Sequence, residues 1–184
     1  TGSWEWSVEF VRAQNAAVED VAGEPVTPWH GRRGRLVVGP SDKVAPDLRA
    51  RGRLVTTGTR YRRFAGDGTW FLKAGPDAPE TLLAFADFDG TEARRSRAPL
   101  KSWSPHVRDW RPGDPTWQGG RGKGLIGALN YLSEAGVNSV SMILYNAGGD
   151  GDNVWPFRSR DEKFRYDCSK LDQWAIVFEH AARR

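Results

Sequence analysis

Asp150, Asp152 and Asn153 stand among three glycines, Gly148, Gly149 and Gly151, with Asn146 before them and Trp155 after. Carboxylates and amides of this kind accept or donate hydrogen bonds to ligand hydroxyls, and an indole offers a flat apolar face with one polar edge, suited to stacking on a sugar ring. The competing role is a tight turn, in which Asp and Asn side chains bond their own backbone. A calcium loop is the third option. Asp150, Asp152 and Asn153 imitate its start and Asp161 falls at its last ligand position, but Trp155 occupies the place that requires glycine and Val154 cannot ligate. No metal and no cofactor is expected. His106 and Asp109, three apart, form a second candidate group for acid–base or metal chemistry, although an isolated histidine more often serves as a structural hydrogen-bonder. No HExxH or paired-cysteine zinc pattern occurs.

These groups need elements to hold them. Residues 137–145 are an apolar, β-branched run after Gly136, and read as a strand buried on both faces, as in a parallel sheet. Before it, Leu125, Ala128, Leu129 and Leu132 recur at helical spacing and predict a helix over 123–135, closed by Gly136. After it, Ser169 and Asp172 suggest a capping box. Leu171, Trp174, Ala175, Phe178, Ala181 and Ala182 then make a second apolar helix face. Upstream, Asp67-Gly68 is a hairpin-type turn between 61–65 and 69–73. The run 69–75 reads as a strand ending in a polar loop. Residues 4–10, with Trp4, Trp6, Val8 and Phe10 alternating, and the runs 35–39 and 52–58 read as further strands. The irregular stretch 86–122, with Asp87, Asp89, His106, Asp109 and Asp114, reads as a wall of the same site. The order strand, long loop, helix, strand, loop, helix is that of an α/β chain with parallel crossovers.

Composition narrows the function classes. The chain has 184 residues, 39% of them hydrophobic, which is a globular composition. Nine tryptophans exceed ordinary usage and serve either core packing or sugar stacking. The net charge is +4, but arginines are interleaved with acids, so nucleic acid is not expected as a partner. Gly119 to Gly124 is only superficially a phosphate loop, because Leu125 follows Lys123-Gly124 where a Ser or Thr is needed directly after the lysine. Cys168 is the single cysteine, so no intrachain disulfide forms. No run approaches the roughly 18 apolar residues of a membrane span.

Four motifs carry a family resemblance: RYRRFAGDGTWFLKAGPDAPETLLAFADFDGT, HVRDWRPGDPTWQGGRGKGLIGALNYLSEAGVNSV, NAGGDGDNVWPF and SKLDQWAIVFEH. In this order, over about residues 50–182, they resemble bacterial glycoside-hydrolase-type proteins in which an N-terminal domain of unknown function 5060 precedes a glycosidase-like (β/α)8 barrel. The sequence departs from the usual Ser-Pro-Glu-Asn run, reading Asp77, Ala78, Pro79, Glu80, Thr81. The resemblance implies the end of a β-sandwich over 1–58 and, over 59–184, the first two βα units of a TIM barrel. The sequence is accordingly read as an internal piece of a longer protein, with the rest of the barrel as its partner. The implied setting is secreted or periplasmic, and the implied substrate is a poly- or oligosaccharide. Glycoside hydrolysis needs two carboxyl groups, ~5 Å apart for retention or ~6.5–9.5 Å for inversion. That pair is expected on later strands, which leaves this piece inactive alone. Its own contribution would be substrate binding through Asp77, Glu80, His106, Asn146, Asp150, Asp152 and Trp155. The rival expectation is a non-catalytic carbohydrate-binding module, favoured by the tryptophans and the N-terminal strands. A buried parallel strand over 137–145 would count against it.

Overall fold

A computed structural model describes residues 1–16, 19–76 and 81–184. The chain divides into two units, Thr1–Asp42 and Lys43–Arg184. The first is built on a two-stranded antiparallel ribbon, β1 (Gly2–Ser7) against β4 (Arg33–Val38), in the register Trp4↔Leu36 and Trp6↔Gly34. Two residue pairs, β2 (Val11–Arg12) and β3 (Glu24–Pro25), make a second short ladder. The period-2 alternation puts Trp4, Trp6, Leu36 and Val38 on one face, and all four are exposed.

In the second unit β5 (Leu54–Thr56), β6 (Arg62–Phe64) and β7 (Trp70–Phe71) form an antiparallel meander. Asp67 caps the β6–β7 turn by accepting from Thr69 N and its hydroxyl, and Gly68 takes the positive φ the turn needs. Two helices follow: α1 (Lys123–Glu134) and α2 (Cys168–Arg183). Leu125, Ile126 and Leu129 of α1 and Trp174 and Val177 of α2 meet Leu83, Phe85, Phe88 and Trp117 from the intervening loops in one core. Phe88 stacks on Trp117 with centroids 5.4 Å apart. α1 ends in a Schellman motif: Gly136 at φ 83° donates to Ser133 O, and Val137 donates to Leu132 O. A 3-10 turn, Ser104–Asp109, lies against α1 where Gly124 and Gly127 leave no room for a β-carbon.

Two expectations are corrected here. The sheets are small and antiparallel, and residues 137–145 form no strand and are half-buried or exposed. The reason is visible at Asn138. Its side-chain amide accepts from Ala74 N and donates to Leu72 O, taking ladder positions that backbone groups would otherwise fill. What remains is a looser pairing of 72–76 with 138–141. Asn138 N donates to Ala74 O and Ser141 N donates to Pro76 O, so the two extended segments advance in the same direction. The α2 cap is Asp167, which accepts from Lys170 N at 3.1 Å. Ser169, assigned to the cap from sequence, bonds Asp89 instead.

Candidate functional site

The loop 146–155 is organised by one amide. Asn146 is buried, and its Oδ1 accepts from Asn153 N (3.0 Å) and Val154 N (2.7 Å). Its Nδ2 donates to Asp150 O (2.7 Å) and Asn153 Oδ1 (3.0 Å). The side chain thus closes the turn on itself, which glycine permits at Gly148 and Gly151, both at positive φ. Asp152 accepts from Gly148 N (2.9 Å) and Arg160 Nε (2.7 Å). The Arg160 guanidinium, then the Gly148 amide, hold its carboxyl below the ordinary carboxylate range. Asp150 is exposed, and among the described residues nothing engages its carboxylate. It is the side chain of this loop left available to a ligand.

Trp155 turns the other way. It is 1% exposed and packs the loop down, so its faces are closed to a sugar. His106 stands apart: it pairs with Asp109 Oδ2 at 2.9 Å and lies 5.0 Å from the Tyr131 ring on the flank of α1. None of its contacts reaches the 146–155 loop. Asp77 and Glu80 lie outside the described residues.

A second carboxylate centre forms around Asp89, which the sequence reading places only among the acids of the 86–122 wall. Asp89 Oδ2 accepts from Ser169 Oγ (2.6 Å), Gln118 Nε2 (2.7 Å) and Gln173 Nε2 (2.7 Å), while Oδ1 accepts from Arg121 Nη1 (2.9 Å). The Ser169 hydroxyl leads these donors, and together they outweigh desolvation and keep the Asp89 carboxyl far below its usual range. Next to it, the Lys170 ammonium is buried and donates to Gly90 O (2.9 Å) and Trp155 O (3.2 Å). Burial pulls the Lys170 pKa down. Asn153 Nδ2 adds a bond to Ala98 O at 3.2 Å. Three stretches, 87–101, 117–122 and 146–157, are therefore tied together at the start of α2. The signal in the sequence was only the density of acids and amides, because Asp89 and Gln118 are remote in sequence from Ser169 and Gln173, which alone share a helical i, i+4 spacing on α2.

Among the described residues no group of three or more His, Cys, Asp or Glu side chains is placed to hold a metal ion. No helix there is long and apolar enough to cross a membrane. Against family models, curated proteins and solved structures the chain finds no match.

Proposed function

We propose that this chain forms one wall of a carbohydrate-binding cleft in a glycoside-hydrolase-type protein. One observation carries the reading. The extended segments 72–76 and 138–141 run side by side in the same direction, a helix follows each further along the chain, and the second leads first into the polar loop 146–155. Ligand sites of α/β enzymes are built from loops of this kind, at the carboxyl ends of parallel segments. In this reading Asp150 accepts hydrogen bonds from sugar hydroxyls, and Asn146, Asp152 and Arg160 fix the loop that presents it. The Asp89 and Lys170 clusters hold the neighbouring loops in register. The carboxylate pair for hydrolysis belongs to later strands of the parent barrel, and the chain alone binds without cleaving.

Electrophoresis through gels containing single soluble polysaccharides tests this. At least one polysaccharide is expected to retard the chain, and Asp150→Ala is expected to relieve the retardation. Retardation by none of a broad panel would overturn the reading. A second reading rests on the first unit, where Trp4 and Trp6 are 65% and 46% exposed on one ribbon face. In it, the same gels would respond to Trp4→Ala and not to Asp150→Ala.

A further inference from the structure

Two arginine-rich segments are tied to the loop that presents Asp150. One segment carries Arg94, Arg95 and Arg97 and is anchored to the loop by the bond from Asn153 to Ala98 O. The charge of Arg95 reaches Asp152. A second segment, 157–166, is tied to the loop through Arg160 and Asp152 and folds back on itself. Arg158 N donates to Arg165 O, and Phe157 bridges Tyr166. Ion pairs absorb part of this charge: Arg94 meets Glu92, Arg160 meets Asp152 and Asp161, and Arg165 meets Glu162. Arg97, Arg158 and Lys163 have no carboxylate partner among the described residues.

Aromatic rings accompany the second of these segments. Tyr145, Phe157 and Tyr166 form a file with centroids 6.0 and 5.1 Å apart. Lys163 Nζ stands 5.4 Å above the Tyr145 ring, and Tyr166 is 58% exposed. Rings stack on the apolar faces of sugars, and free cations beside them attract an anionic substituent. A neutral glycan would use the rings and leave the cations idle. We propose that this surface takes an anionic polysaccharide, one carrying a carboxylate or sulfate on its repeating unit. The inference rests on the carbohydrate reading above and names the class of glycan. Asp150 serves the hydroxyls, and the flanking cations serve the charged group.

The test compares polygalacturonate, dextran sulfate and a neutral galactan by affinity electrophoresis and calorimetry, at about 0.05 M and about 0.3 M salt. The variants are Arg158→Ala with Lys163→Ala, both at exposed positions, and a control of equal charge loss, Arg32→Ala with Arg33→Ala in the first unit. Removing one exposed cation from an anion is expected to cost about threefold in affinity, so the double variant loses about tenfold. The proposal predicts that loss for an anionic glycan, steepened by low salt and absent in the control. Polygalacturonate binding alone assigns the charged group as carboxylate, and dextran sulfate binding alone assigns it as sulfate. Equal binding of the galactan, insensitive to salt and to the double variant, overturns the anionic inference and leaves the carbohydrate reading standing. Binding to no glycan overturns both. Single-stranded DNA bound as tightly as the best anionic glycan, with the same loss in the variant, would show a general polyanion surface and overturn the proposal.

Discussion

Replacing Asn146 by alanine removes the amide on which the 146–155 loop closes. Among the described residues four hydrogen bonds go with it, two accepted from Asn153 N and Val154 N and two donated to Asp150 O and Asn153 Oδ1. The Asp150 carbonyl belongs to an exposed residue, and water can replace its partner. Asn153 and Val154 are each about 1% exposed, so their N–H groups are left without an acceptor. Each stranded buried donor costs about 1–3 kcal/mol. The loss of stability is therefore expected to be about 3 kcal/mol, a large share of the ~5–15 kcal/mol that holds a typical domain. Urea denaturation should show a lower midpoint with an unchanged slope. Amide exchange should show Asn153 and Val154 losing protection ahead of the helices. Asp150→Ala, at the exposed tip, should shift stability by less than about 0.5 kcal/mol. A loss below about 1 kcal/mol for Asn146→Ala, or unchanged protection at those two amides, would refute the reasoning.

Three further outcomes follow from the packing and the charges. Gly127→Ala should gain about 1 kcal/mol of helix propensity. It should nevertheless destabilise by roughly 2 kcal/mol net, because the new β-carbon overlaps His106 O and lies 2.9 Å from Trp110 N, both rigid backbone; a raised melting temperature would contradict the close approach. The Asp89 carboxyl is held below its ordinary value by Ser169, Gln118, Arg121 and Gln173, so the unfolded chain takes up its proton at a higher pH than the folded one. That stability is present above about pH 4 and lost as the pH falls below it, and Asp89→Asn should flatten the acid limb of a stability–pH profile while costing roughly 1–2 kcal/mol at neutral pH. Lys170→Met keeps the side chain's length but strands the carbonyl of buried Trp155, while water can take over at exposed Gly90, and should cost about 2 kcal/mol by denaturant titration.

The helices were legible because a single physical rule generates them. Leu125, Ala128, Leu129 and Leu132 repeat at helical spacing, and a glycine stands where the left-handed residue must come. The β6–β7 hairpin was legible at Asp67-Gly68 for the same reason. The run 137–145 misled because β-branched composition describes a surface that could join a sheet, while strand formation depends on the partner. Here the partner's hydrogen-bonding groups are partly taken by the Asn138 side chain. The cap of α2 was shifted because Ser169 fits a capping pattern locally, yet its hydroxyl is claimed by Asp89, eighty residues away in sequence. Of the loop residues, Asn146, Asp150 and Asp152 do come together. Composition marked them as polar, but only the three-dimensional arrangement separates the turn-formers from the Asp150 carboxylate, which has no partner among the described residues. The inward turn of Trp155 had no local signal either, since a tryptophan after a polar loop fits a platform and a core plug equally well.

Amide chemical shifts followed during titration with the best-binding oligosaccharide test the central claim most directly. The account predicts perturbations concentrated at residues 148–153, at 94–98 and at 158–166, with the flank of α1 around His106 and the Trp4–Trp6 ribbon unmoved. Shifts confined to the ribbon, or to the His106 flank, would contradict it.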